Sequence, residues 1–320
     1  MKLLMAMVIL TISNCKYDIS NSYDTDSSGL TTTKYNEAIP PSEIEQYFKA
    51  YDKTLTLWPV PYRELIIETG FGNAHVISSG SDNAPPMVLL HGMNASSTMW
   101  YPNIGELSKD HKVYAIDNLT EPGKSEMTRQ MNNVDDLIKW YVEIVDKLGI
   151  EDFTLIGASK GGWLAVKLAL SLQNRVKKLI LLSPLQTFSP IPPGTKVLSA
   201  ISYGLNPNPQ RLRNALNSMS THVSEIDKLY IDQFHLGSLI ADPANLLVGF
   251  IPFSRKELRK LKMPVLVLIG DQDIINNKAV IEIANEFIPH AETWIIPDAG
   301  HFLSMDQTEI TNFRILDFLN

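Results

Sequence analysis

Six short, nearly unbroken apolar runs set the strongest limit on how this chain can fold. They are Met87–Leu90, Val113–Ile116, Phe153–Gly157, Val176–Leu182, Val265–Ile269 and Thr293–Ile296. Short apolar runs without alternation suit strands buried on both faces of a parallel sheet. Between them lie amphipathic stretches at helical spacing, near Met99–Leu107, Val134–Leu148, Gly162–Leu172, Lys278–Phe287 and Glu309–Leu319. Such alternation predicts a doubly wound α/β architecture, a mostly parallel sheet with helices on both faces. Ahead of it, Glu43–Leu55 reads as a helix. Arg63–Thr69 and Asn73–Ser79 read as two strands joined at Gly70-Phe71-Gly72.

One interval breaks the rhythm. Between Pro184 and Val265 the chain carries Pro190, Pro192, Pro193, Pro207, Pro209, Pro243 and Pro252 amid amphipathic patches. A structureless loop of that length is implausible inside a compact domain. Residues from about 185 to 262 are therefore expected to form a helical cap over the carboxyl edge of the sheet.

Composition removes several function classes. Hydrophobic residues at 44% and charged residues at 20% support a sizeable core and exclude a mostly disordered chain. A net charge of -7 without a basic stripe argues against nucleic-acid binding. Cys15 is the one cysteine, which excludes an intrachain disulfide and a cysteine-built metal site. The seven histidines show no His-x-x-x-His spacing. Neither a metal nor a cofactor is expected, and the sequence is silent on oligomeric state.

The amino terminus reads as an address. One lysine precedes the apolar run Leu3–Ile12, which is too short to span a bilayer but suits a secretory signal. Cys15 follows directly, so residues 1–14 resemble a bacterial lipoprotein signal with Cys15 as the lipid attachment point. Asn14 is larger than the residue usual there. Residues 15–42 are polar and read as a flexible leader, and 43–320 as the folded domain. The expectation is a lipid-anchored protein outside the cytoplasm. The alternative is a plain signal or tail, with a secreted or cytoplasmic soluble protein.

Four local patterns carry chemistry. Gly157-Ala158-Ser159-Lys160-Gly161 follows an apolar strand and opens an amphipathic helix, the context of a nucleophile elbow. A tight strand-to-helix turn exposes the Ser159 hydroxyl, and Gly157 and Gly161 leave room for neighbouring backbone. Leu89-Leu90-His91-Gly92-Met93 ends an earlier strand. Gly270-Asp271-Gln272-Asp273 and Pro297-Asp298-Ala299-Gly300-His301 end the last two, giving the chain order serine, acid, histidine.

These motifs resemble the α/β-hydrolase family. The resemblance implies Ser159 as nucleophile, His301 as general base and Asp273 as the acid orienting it. Asp271 is the alternative acid, its other role being that of a turn former. The backbone N–H groups of Met93 and Lys160 would form the oxyanion hole. Gly92 would let the backbone approach, and His91 would brace that loop rather than act as the base.

Further segments are similar to bacillary carboxylesterases that act on 2-arylpropionate esters. They are Tyr51–Val60, Ser96–Ile104, Leu182–Phe188 and Ala299–Gln307. Three departures stand out. Lys160 replaces a leucine usual after the nucleophile, Asp273 stands where those esterases can carry Glu, and Asn118–Gly123 departs from the general family's turn. The resemblance implies an esterase acting on a small-molecule ester through an acyl-enzyme. The alternatives are a related lipase, thioesterase, C–C hydrolase or perhydrolase, or a non-catalytic ligand-binding protein on the same fold. Trp100, Trp163, Phe188, Tyr203, Tyr230, Phe234 and Phe250 are candidates to line an acyl pocket.

Overall fold

The computed structural model describes residues 41–242 and 250–320. Cys15, residues 1–14 and the leader up to residue 40 lie outside the described residues. Helix α1 (Pro41–Leu55) leads into the hairpin β1 (Tyr62–Thr69) and β2 (Gly72–Ser79). Strand β3 (Pro86–Leu90), helix α2 (Ile104–Asp110), strand β4 (Lys112–Ile116) and a two-residue β5 (Glu126–Met127) follow. Then come α3 (Val134–Lys147), β6 (Phe153–Ala158), α4 (Lys160–Ser171) and β7 (Val176–Leu182).

Past β7 the cap interval holds α5 (Thr195–Leu205), α6 (Pro209–Met219) and α7 (Lys228–Ile240), with the short α8 (Arg255–Leu258) near its end. The chain closes with β8 (Val265–Gly270), α9 (Lys278–Phe287), β9 (Ala291–Ile296), α10 (Leu303–Asp306) and α11 (Thr308–Leu319).

Among the described residues these strands form one sheet in the order β1-β2-β4-β3-β6-β7-β8-β9, with β5 beside β2. The pairings of β1, β4 and β5 with β2 are antiparallel. From β4 through β3, β6, β7, β8 and β9 every pairing is parallel.

The sheet separates two apolar cores, and the strands feed both. Val88 and Leu90 of β3 enter one core, Met87 and Leu89 the other, all four fully buried. That division is why these strands read as unbroken apolar runs rather than alternating ones. Strand order reverses at β3, which lies between β4 and β6. Loops leaving the carboxyl ends of β3 and β6 therefore open a crevice at a topological switch point, where open α/β sheets place their ligands.

Three elements differ from expectation. The stretch Met99–Leu107 is not one helix: a 3-10 turn (Ser97–Trp100) precedes α2. Pro102 has no N–H to continue the ladder, and Asn103 occupies the N-cap of α2. Strand β5 escaped detection because two residues carry no periodicity. Helix α4 also begins at Lys160 rather than Gly162, directly after the elbow.

Candidate active site

Ser159 stands between the last residue of β6 and the first of α4, with φ 52 and ψ −116. A side chain at that backbone setting is strained, by roughly 1–3 kcal/mol. The surroundings hold it by close approach. A Cβ on Gly161 would lie 2.2 Å from the Leu90 carbonyl oxygen, and one on Gly157 2.3 Å from that of Gly161. Only glycine lets the elbow pass this near the end of β3. A Cβ on Gly92 would lie 3.4 Å from the Ser159 Cβ, so the loop after β3 runs beside the hydroxyl.

His301 follows β9 and is buried. Its Nε2 lies 2.9 Å from Ser159 Oγ, and its Nδ1 lies 3.0 Å from Asp273 Oδ1. The Asp273 carboxyl is held by three further bonds: Ile275 N–H at 2.8 Å and Asn276 N–H at 3.2 Å to Oδ1, and Asn276 Nδ2 at 2.8 Å to Oδ2. Burial alone would raise its pKa. The charge His301 can carry, with the hydrogen bonds from His301, Asn276 and Ile275, outweighs burial and holds the carboxyl below its ordinary range.

Asp271 faces elsewhere. Its Oδ1 accepts the Ala299 N–H at 3.2 Å, bracing the loop that carries His301. The structure thus brings Ser159, His301 and Asp273 together and leaves Asp271 as a loop brace.

His91 is buried and points away from Ser159's partner. Its Nε2 accepts the Asn118 N–H at 2.8 Å, which places the ring proton on Nδ1, donated to the Gly92 carbonyl at 2.8 Å. An Nε2 that accepts a hydrogen bond belongs to the neutral ring, and burial lowers the pKa in the same sense. Met93 follows the loop residue Gly92 that lies beside Ser159, and Lys160 directly follows Ser159. Among the described residues neither backbone N–H is taken up by a hydrogen bond within the fold.

The charge that Lys160 brings next to the nucleophile is paired. Lys160 is 2% exposed, and its Nζ donates to the Glu121 carboxylate, itself buried. The other Glu121 oxygen accepts the Asn94 N–H at 2.6 Å. Sequence alone marks both segments as departures, yet no local pattern pairs residues 39 apart.

The cap is fastened to two of these loops. On α7, Gln233 Nε2 donates to Ser96 Oγ at 2.8 Å, and its Oε1 accepts from Thr98 Oγ1 at 2.9 Å. At the end of α6, the Met219 carbonyl accepts the Phe302 N–H at 3.1 Å, and a Cβ on Gly300 would lie 2.4 Å from that oxygen. Aromatic rings step from the cap toward the site: Tyr203 to Phe234 at 6.0 Å, Phe234 to Phe302 at 6.3 Å, Phe302 to His301 at 6.3 Å. Tyr230 joins Phe234 at 6.3 Å. Trp163 packs against Phe250 and Phe253, each at 5.0 Å, in the same core as Phe188. Trp100 is fully buried in the opposite core and is a packing residue.

Among the described residues no cluster of three or more metal-ligating side chains occurs. No helix among them is long and apolar enough to cross a membrane.

The alpha/beta hydrolase fold family matches residues 85–217 and 219–308, and the chain belongs to it. Two relatives come from Bacillus subtilis (strain 168). The uncharacterized carboxylesterase nap is 35% identical over 281 residues, covering 86% of this chain and 92% of its own. Carboxylesterase YbfK is 31% identical over 280 residues, covering 86% of this chain and 93% of its own. The crystal structure of naproxen esterase (carboxylesterase NP) from Bacillus subtilis superposes with a TM-score of 0.82 at 34% identity. It covers 88% of this chain and 100% of that one. The chain is accordingly a hydrolase of the carboxylesterase type, acting on a small-molecule ester.

Proposed function

We propose that the protein hydrolyses carboxylic esters through a covalent acyl-enzyme on Ser159. The observation that carries this is the continuous hydrogen-bonded line from Ser159 Oγ to His301 Nε2 at 2.9 Å and from His301 Nδ1 to Asp273 at 3.0 Å. Ser159 Oγ attacks the ester carbonyl carbon while His301 Nε2 takes its proton. The carbonyl oxygen becomes an oxyanion and accepts from the N–H groups of Met93 and Lys160. Collapse of the tetrahedral species breaks the bond to the alkoxy oxygen, and His301 returns the proton to the leaving alcohol. Water then attacks the acyl-enzyme with His301 again as base, releasing the acid and restoring Ser159. Asp273, held ionised, fixes the His301 tautomer and offsets the imidazolium charge.

The apolar rings around Phe302, Phe234 and Tyr203 favour an acyl group with a sizeable apolar body. The similarity to naproxen esterase supports a branched aromatic acid among the acyl groups accepted. Labelling with a fluorophosphonate and peptide mapping tests the mechanism. The adduct is expected on Ser159, and Ser159→Ala is expected to lose both the label and p-nitrophenyl butyrate turnover while melting as wild type. An unlabelled Ser159, or a Ser159→Ala variant with near-normal turnover, refutes the covalent route.

A further inference from the structure

Lys160, directly after the nucleophile, and Glu121, in the segment after β4, are joined in the structure by a buried ion pair. We infer that the Glu121 carboxylate sets the spacing between the two oxyanion donors and is a positioning residue for the transition state. This rests on the serine-esterase mechanism above.

The two donors sit on different segments: Met93 after β3, Lys160 after β6. Nothing in the sheet fixes those loop ends relative to each other beyond the last paired residues, Leu90 and Gly157. The close backbone packing of Gly161 on Leu90 and His91 brings them together, and Glu121 adds a side-chain tie across them. One oxygen accepts from the Lys160 ammonium; the other accepts the Asn94 N–H at 2.6 Å. Asn94 directly follows Met93 and turns the chain at φ 55, a left-handed setting that asparagine adopts readily. The carboxylate therefore ties the residue after one donor to the side chain of the other.

Glu121 is itself anchored to the same frame. Its N–H donates to the Asn118 carbonyl at 3.0 Å, and the Asn118 N–H donates to His91 Nε2 at 2.8 Å. Loop 91–94 is thus held at its start through His91 and at its end through Glu121.

Stability is a weak account of the pair, since replacing a buried ion pair by apolar groups of similar volume is often neutral or favourable. What a carboxylate adds is two acceptor oxygens for two donors. A glutamine offers one oxygen and turns its NH₂ group toward the remaining donor.

Two full-length variants test the inference, Glu121→Gln and Glu121→Gln/Lys160→Met. The double variant cuts the tie and leaves neither partner of the pair as an unpaired buried charge, which separates positioning from folding. Endpoint titration with a fluorophosphonate counts competent Ser159, so rates refer to active molecules. We expect both variants to lose about 10–100-fold in kcat on p-nitrophenyl butyrate, with KM changed less than about threefold, because misplaced donors weaken transition-state binding. The inhibition constant of an alkyl trifluoromethyl ketone, whose adduct carries an oxyanion, should rise by the same factor as kcat falls. The double variant should melt at or above the wild-type temperature and remain slow. A folded, fully titrated double variant with wild-type kcat and ketone affinity overturns the inference alone. Failure of wild-type protein to label at Ser159 overturns the mechanism, and the inference with it.

Discussion

Replacing Asp273 by asparagine keeps the shape of the site and removes one charge. The side-chain oxygen at the Oδ1 position faces two backbone N–H groups, those of Ile275 and Asn276, as well as His301 Nδ1. Those two donors should hold the amide oxygen in that position, so the productive His301 tautomer survives. What is lost is the negative charge opposite the imidazolium that forms in the transition state. At an effective dielectric constant of about 20, charges ~4 Å apart interact by ~4 kcal/mol. At ~1.36 kcal/mol for each tenfold, that is about 10³ in kcat. Where the amide turns the other way, the wrong tautomer extends the loss toward ~10⁴. Asp271→Asn retains an oxygen for the Ala299 N–H and should lose less than about threefold, a brace kept rather than a charge removed. Steady-state hydrolysis of p-nitrophenyl butyrate, normalised by active-site titration, reads both variants. A larger loss from Asp271→Asn than from Asp273→Asn would refute the assignment of the acid.

Three further outcomes follow from residues away from that carboxylate. Burial alone would lower the His75 pKa, but the hydrogen bonds and charges of Asp117 and Glu64 raise it overall, with Tyr51 also facing the ring. A raised histidine stabilises fully below its unfolded value of ~6.5, and that stability is lost as pH rises through its folded value. The gap in melting temperature between wild type and His75→Gln should therefore be wide near pH 5.5 and narrow by pH 9; a gap widening toward alkaline pH contradicts this. Gly161→Ala would push a Cβ to 2.2 Å from one backbone oxygen and 2.5 Å from another. Its cost should exceed the ~1–3 kcal/mol of ordinary overpacking and appear as a lower melting temperature together with lost turnover. Full-length protein made in a bacterium should incorporate labelled fatty acid, and Cys15→Ser should abolish the label without lowering esterase activity; unlabelled wild-type protein with Met1 intact would end the lipid-anchor proposal.

How far the sequence could be read depended on the range of the interactions. Strand β7 runs over Val176–Leu182 and α9 over Lys278–Phe287, the spans their apolar patterns mark, because each is decided by its own residues against a neighbouring core. Ser159, Asp273 and His301 could be singled out because each lies past a strand end in a motif that resembles the α/β-hydrolase family, and those parallel strands end at the same sheet edge. Side-chain partnerships across the chain left no such trace. Glu121 with Lys160, Gln233 with Ser96, and His75 with Asp117 join segments whose spacing obeys no helical or strand period. Pro102 was visible in the sequence, yet the amphipathic spacing around it masked the break before α2.

The fastening of the cap bears on how this scaffold could be altered. Residues 209–240 hold Met219, which meets the loop of His301, and Gln233, which meets the loop following Met93. Any chimera that exchanges the whole interval would sever both attachments and leave Ser96 and Thr98 without their buried amide partner, at ~1–3 kcal/mol for each orphaned group. A graft confined to residues 195–202 leaves both attachments in place, spares Phe188 and Tyr203, and exchanges the part of α5 where Leu198 and Ile201 are exposed. The interval is thus two parts with different tolerances: an outer helical face open to exchange, and an inner pair of helices that can be exchanged only together with the loops they fasten.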